Sequence, residues 1–225
     1  MSRRIPHAEQ LGFDELLTDA ARDNDTREAA RACAHLPGTF NEAVPFFRDL
    51  IEQHHAAMLA GDIARVMHLR EEAHSLAVKL NNYEAGILAD DESPGYTLAR
   101  ATQAPDGEIP LWGQTGSFEI SCGGMRVRIE MEGLFGIATS IYHWLGFAAY
   151  AVDYDRPFLS ETGYRSFVAI GGELKPGFTP EGMASKVIAA YLKRHLKDRL
   201  ASVDAGYLNR NAPASAKKHG TGFWT

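Results

Sequence analysis

Residues 118–131 alternate apolar and polar side chains on either side of a Gly-Gly pair, and few chain geometries satisfy that pattern. Phe118, Ile120 and Cys122 are separated by Glu119 and Ser121; Met125, Val127, Ile129 and Met131 are separated by Arg126, Arg128 and Glu130. A period of two over this length describes strands with one buried and one wet face. Gly123-Gly124 suits a two-residue hairpin turn, whose residues need positive φ. The resulting register pairs Cys122 with Met125, Ile120 with Val127, Phe118 with Ile129, and Glu119 with Arg128 on the wet face. A slip of one residue would turn charge into the core, so this register is strongly specified.

The strand pattern continues downstream. Gly133 marks a turn, and Phe135, Ile137, Thr139 and Ile141 read as a third strand on the face of Ile129. A fourth strand is expected over about 147–152 and a fifth over about 164–170, joined by short connections into an antiparallel meander. Thr179-Pro180 then starts a helix, with Thr179 as N-cap and Pro180 at the first helical position. It is expected to run to about Val203, with Ile188, Leu192, Leu196 and Leu200 in a row facing the open side of the sheet. His195 is expected to be partly buried among them.

Upstream the period changes to that of helices. A first helix, capped by Asp14 and interrupted near Asp23–Thr26, runs to about His35 and ends at Pro37-Gly38. Thr39 or Asn41 caps a second that carries Val44, Phe47, Leu50 and Ile51 and tolerates Pro45 in its first turn. Gly61-Asp62 stops it and caps a third, with Val66, Leu69, Ala73, Leu76 and Leu80 on one stripe. So short a turn makes the two an antiparallel pair. The expected architecture is α+β: a helical region over 8–93, a Pro/Gly-rich connector over 94–116, a five-stranded meander with its helix over 117–205, and a flexible tail over 206–225.

Several function classes lack their signatures. Two cysteines, Cys33 and Cys122, make neither a disulfide scaffold nor a structural zinc site. There is no Walker motif, dinucleotide fingerprint or nucleophile elbow. The reading therefore implies no cofactor and no metal, and leans away from an enzyme. The first residues are not followed by the apolar run of a secretory signal, and no stretch reaches the length of a membrane helix, which makes the cytoplasm the expected location. The net charge of −6 opposes general coating of nucleic acid. It is segregated: residues 1–100 hold 17 of the 29 acidic side chains and only 10 of the 23 basic ones.

Two stretches could meet a ligand or partner. The segment between the last two expected strands gathers Asp153, Asp155, Arg156, Glu161, Tyr164 and Arg165 within thirteen residues. Carboxylates spaced like Asp153 and Asp155 can share a hard cation, and Arg156 and Arg165 can clamp a carboxylate or phosphate; the same residue types also stabilise turns. The C-terminal helix carries Lys186, Lys193, Arg194, Lys197 and Arg199, a row that could face a polyanion or simply water. On the helical pair, His68 and His74 lie six apart, off the spacing of one helical face, and His54 and His55 point about 100° apart.

The strings His35-Leu36-Pro37-Gly38-Thr39, Leu111-Trp112-Gly113-Gln114-Thr115-Gly116 and Phe158 through Phe167 resemble an uncharacterised family of bacterial proteins associated with plasmids and other mobile elements of alphaproteobacteria. That resemblance transfers no catalytic residue. It implies an accessory role, such as countering host defence or supporting plasmid maintenance. The leading expectation is a binder of a macromolecular partner, a protein before nucleic acid. The alternatives are a small-molecule- or metal-dependent enzyme using the 153–166 loop, and a nucleic-acid binder using the basic helix.

Overall fold

The computed structural model describes residues 7–207, with side chains from residue 15. The helices are α1 (His7–Ala32), α2 (Phe40–Ala60), α3 (Ile63–Leu80), α4 (Pro94–Ala101) and α5 (Pro180–Tyr191); the strands are β1 (Gly116–Cys122), β2 (Met125–Met131), β3 (Phe147–Ala151) and β4 (Tyr164–Phe167). The expected tail lies, beyond Tyr207, outside the described residues.

The hairpin forms in the expected register, with Cys122 opposite Met125, Phe118 opposite Ile129 and Glu119 opposite Arg128. Gly123 and Gly124 have φ of 58° and 79°, as a tight turn between right-twisted strands requires. The helical pair also forms as expected. Gly61 ends α2 at φ 72°, and the Asp62 side chain accepts the Arg65 N–H at the start of α3.

Four expectations need correction. The sheet has four strands, in the order β1-β2-β3-β4, because residues 135–141 form turns and β3 takes the edge of β2 directly. Ala138 has φ 62°, which breaks any extended run there. Within the connector, Ser93-Pro94 starts the short helix α4. The first helix is continuous through Asp23–Thr26, with the Thr26 hydroxyl bonded back to the Arg22 carbonyl. The last helix is shorter than its apolar row suggested. It passes into a π-helical turn (Leu192–Leu196) and stops where Lys197 and Asp198 take positive φ; Ala201 then bridges Phe158 in an antiparallel contact. His195 is consequently exposed, stacked 5.1 Å from Tyr191 rather than half-buried.

One hydrophobic core joins the halves, from Phe47, Leu50, Leu69 and Leu76 of the helical pair to Val127, Ile129, Phe147 and Ile188. Completely buried Trp112 sits in it, tilted against Trp144 at 5.7 Å, and its indole N–H donates to the Phe178 carbonyl at 2.7 Å. α5 packs on β1. α1 differs from every other element. Its side chains from Glu15 to Glu28 are all exposed, and its C-terminal end is held where Lys79 Nζ donates to the carbonyls of Cys33 and Leu36. No helix among the described residues is long and apolar enough to cross a membrane.

Candidate functional site

The 153–166 segment distributes its ionic groups among different neighbours. Asp153 pairs with Arg126 of β2 at 3.3 Å. Tyr164 lies against Tyr150 with ring centroids 5.0 Å apart, and the Arg165 guanidinium sits 4.7 Å over the ring of Tyr191 in α5. The loop is strapped to the segment after the π-helical turn by paired Phe158 and Ala201 backbone bonds and by the Asp204 N–H donating to the Glu161 carbonyl. The side chains of Asp155, Arg156 and Glu161 face solvent. Thus Asp153, Tyr164 and Arg165 are drawn to three different elements, while Asp155, Arg156 and Glu161 stay at the surface. Among the described residues no three His, Cys, Asp or Glu side chains gather as a metal-ligand set.

The basic row is also at the surface. Lys193, Arg194, Lys197 and Arg199 are exposed around the π-helical turn, and the Lys186 ammonium sits 4.0 Å over the Phe178 ring.

The most organised polar constellation lies elsewhere, where α2 and α3 meet the segment between β2 and β3. Arg70 of α3 is 5% exposed and uses all five of its N–H donors. Nε donates to His54 Nε2 at 3.0 Å; Nη1 donates to the carbonyls of Thr139 and Tyr142 at 2.8 and 2.7 Å; Nη2 donates to the His143 carbonyl at 2.7 Å and reaches Met58 Sδ at 3.8 Å. Because His54 Nε2 accepts from Arg70, its proton resides on Nδ1, which donates to the Trp112 carbonyl at 2.8 Å. His55 completes the grip, accepting the Trp112 N–H at 3.0 Å through Nδ1. Two consecutive histidines of α2 thus hold both backbone groups of one residue.

The electrostatics fit this wiring. Burial, aided by the Arg70 charge, pushes the His54 pKa down to about 3, and burial lowers that of His55. Burial also lowers Arg70 to about 10, which leaves it charged at neutral pH.

The segment so fastened has an unusual outer surface. Half-buried Glu132 accepts the Ile137 N–H at 2.9 Å, and burial raises the pKa of its carboxyl. Arg70 and Glu132 therefore hold the segment from inside, yet Ile137 and Ile141 stand 68% and 72% exposed. Beside them lies a cavity of about 530 Å³, lined by Met67, Arg70, Glu71, His74, Leu134 and Phe135 among others. A second hollow, which Phe135 also lines, is bordered by Tyr96, Glu130 and Glu132.

Sequence reasoning gave no functional role to Arg70 or Glu132 and placed Ile137 and Ile141 on a buried strand face. Arg70 had one available signal. It lies four residues after Val66 and three before Ala73, inside the apolar stripe of α3, where a charge requires partners.

This is an α+β protein in which a buried arginine locks a helical pair to the excursion between two strands of a small meander. Its second half, residues 115–209, matches the KlcB third domain, so the sheet and α5 are related to that domain. Over most of its length the chain is similar to proteins named KlcB. It is 30% identical to a Protein KlcB of Escherichia coli over 221 residues, which is 95% of this chain and 49% of that protein. It is 35% identical to another Protein KlcB of Escherichia coli over 189 residues, 80% of this chain and 39% of that protein. The chain therefore spans about half or less of the length of these relatives. Neither speaks to the alphaproteobacterial origin that the short strings imply. No solved structure matches the chain.

Proposed function

We propose that this chain is a non-enzymatic accessory protein that engages a protein partner through the surface built on residues 137–141. One observation carries the reading: two large β-branched side chains are displayed to solvent on a backbone clamped from within by Arg70 and Glu132. Apolar side chains on a rigid support are what an interface needs, since little freedom is lost on binding. Glu71, Glu130 and Glu132 border the adjoining hollows, so the matching partner offers an apolar recess with a basic rim. Similarity to KlcB, together with the mobile-element setting implied by the sequence strings, supports an accessory role rather than a metabolic one.

The test is capture from native lysate at low salt, comparing the unaltered chain with an Ile137→Asp/Ile141→Asp variant. A protein retained by the first and lost by the second supports the reading. Equal retention, or none by either, rejects it.

A second reading, binding of nucleic acid, is favoured by Lys193, Arg194, Lys197 and Arg199 lying exposed around one turn. It predicts affinity that falls steeply with salt. Absence of binding to single- and double-stranded probes at low salt removes it.

A further inference from the structure

Arg70 is a buried cation whose hydrogen bonds are complete and whose charge is not matched. All five donors go to carbonyl oxygens, a thioether and a neutral imidazole. Among the described residues no Asp or Glu oxygen lies within ion-pair distance of the guanidinium, although buried charges are normally paired. Carbonyl dipoles satisfy the N–H groups, but they supply no net negative charge.

This cation forms part of the wall of the 530 Å³ cavity between α3 and residues 134–140. That volume falls in the range of small-molecule sites. The apolar wall comes from Met67, Leu88, Leu134 and Phe135. Phe135 is fixed in turn by stacking on Phe47 at 5.4 Å. Ser75, His74 and Ser140 add polar groups to the wall that can hydrogen-bond to a ligand. Glu71 also lines the cavity, but it is exposed, so water and salt screen its repulsion more than they screen the field of buried Arg70.

We infer that this cavity binds a small organic carboxylate with an apolar body. Its anionic group is the counter-charge that Arg70 lacks, and its body lies against Met67, Leu88, Leu134 and Phe135. Because the donors of Arg70 are all occupied, recognition by that residue is through its field, and Ser75, His74 and Ser140 provide the hydrogen bonds. The site adjoins the proposed partner surface, with Glu71 on the border of both, but filling it needs no protein partner.

Isothermal titration with the purified chain tests this, using hexanoate and phenylacetate as probes, with hexanamide and phenylacetamide as uncharged counterparts. The acids are expected to bind at least about tenfold more tightly than the amides, a difference that shrinks with added salt. Glu71→Gln, at an exposed position, is expected to tighten acid binding and leave amide binding unchanged. Ser75→Trp is expected to fill the cavity and abolish both. Equal affinity for acid and amide, no acid binding at millimolar concentration, or an acid affinity unmoved by Glu71→Gln would overturn the inference. The Glu71 variant decides the matter even if the tryptophan variant does not fold.

Discussion

The Nε–H of Arg70 meets the Nε2 of His54 at 3.0 Å, joining a residue of α3 to one of α2 within the core. This contact fixes the imidazole tautomer, and the tautomer in turn holds the backbone of Trp112, so the helical pair and the entry to the sheet are one hydrogen-bonded unit.

Removing the guanidinium should therefore cost far more than a surface arginine would. Arg70→Met strips the carbonyls of Thr139, Tyr142 and His143 of their buried donors and leaves His54 Nε2 unsatisfied. A loss of roughly 3–5 kcal/mol is expected in urea unfolding. The loss should be accompanied by faster amide hydrogen exchange in residues 137–143 before the rest of the molecule. Uniform exchange with a shift below about 1 kcal/mol would contradict the role assigned to Arg70.

The same wiring sets a pH dependence. The folded-state pKa of His54 is lowered from 6.5 to about 3, so between those values the unfolded chain binds the extra proton. Stability from this group is complete above pH 6.5 and declines as pH falls toward 3, by up to about 1.4 kcal/mol per pH unit. His55, also lowered, acts in the same direction. Urea midpoints between pH 7 and pH 5 isolate the histidines from most carboxylates. They should fall as the pH falls, whereas a flat or rising series would mean that the imidazoles take up protons in the fold at least as readily as in the unfolded chain.

How much of this was legible depends on whether the cause was local. The β1–β2 register follows from alternation and a Gly-Gly turn within fifteen residues, and it was readable residue by residue. Residues 135–141 alternate just as well, with Phe135, Ile137, Thr139 and Ile141, yet they form turns. What holds them is Arg70, 69 positions from Thr139, and a carboxylate at Glu132. Alternation alone cannot distinguish side chains that enter a core from side chains displayed at a surface. The end of α5 was missed for a similar reason. Leu200 continues the row of Leu192 and Leu196, but pairing of Ala201 with Phe158 takes the chain out of the helix. In the 153–166 loop the density of ionic groups was plain from sequence, whereas their division among Arg126, Tyr150 and Tyr191 depended on the tertiary fold.

Tyr154 offers a test in the opposite direction, toward greater stability. Its hydroxyl is buried with no hydrogen-bond partner among the described residues, and burial raises its pKa. An unsatisfied buried hydroxyl destabilises, so Tyr154→Phe should raise the unfolding free energy by about 1 kcal/mol. A decrease in the urea midpoint would reveal a partner that the hydroxyl holds in solution.

Two glycines separate backbone strain from packing at the centre of the site. Gly113 and Gly107 both have positive φ, at 97° and 82°. An added Cβ at Gly107 meets nothing within 4 Å, so Gly107→Ala incurs the backbone penalty alone, about 1–2 kcal/mol. At Gly113 the same atom would lie 2.8 Å from Leu134 Cδ2 and 2.9 Å from His54 Nδ1. It would press on the imidazole whose proton holds Trp112, and on the leucine that walls the cavity. Gly113→Ala should therefore exceed Gly107→Ala by a further ~1–3 kcal/mol in equilibrium unfolding. The excess should diminish in a Gly113→Ala/Leu134→Ala double variant, where one of the two obstructing side chains is shortened. If the two glycine variants cost the same, the close approach of residue 113 to His54 is not a feature of the folded protein, and the Arg70–His54–Trp112 chain loses its last link.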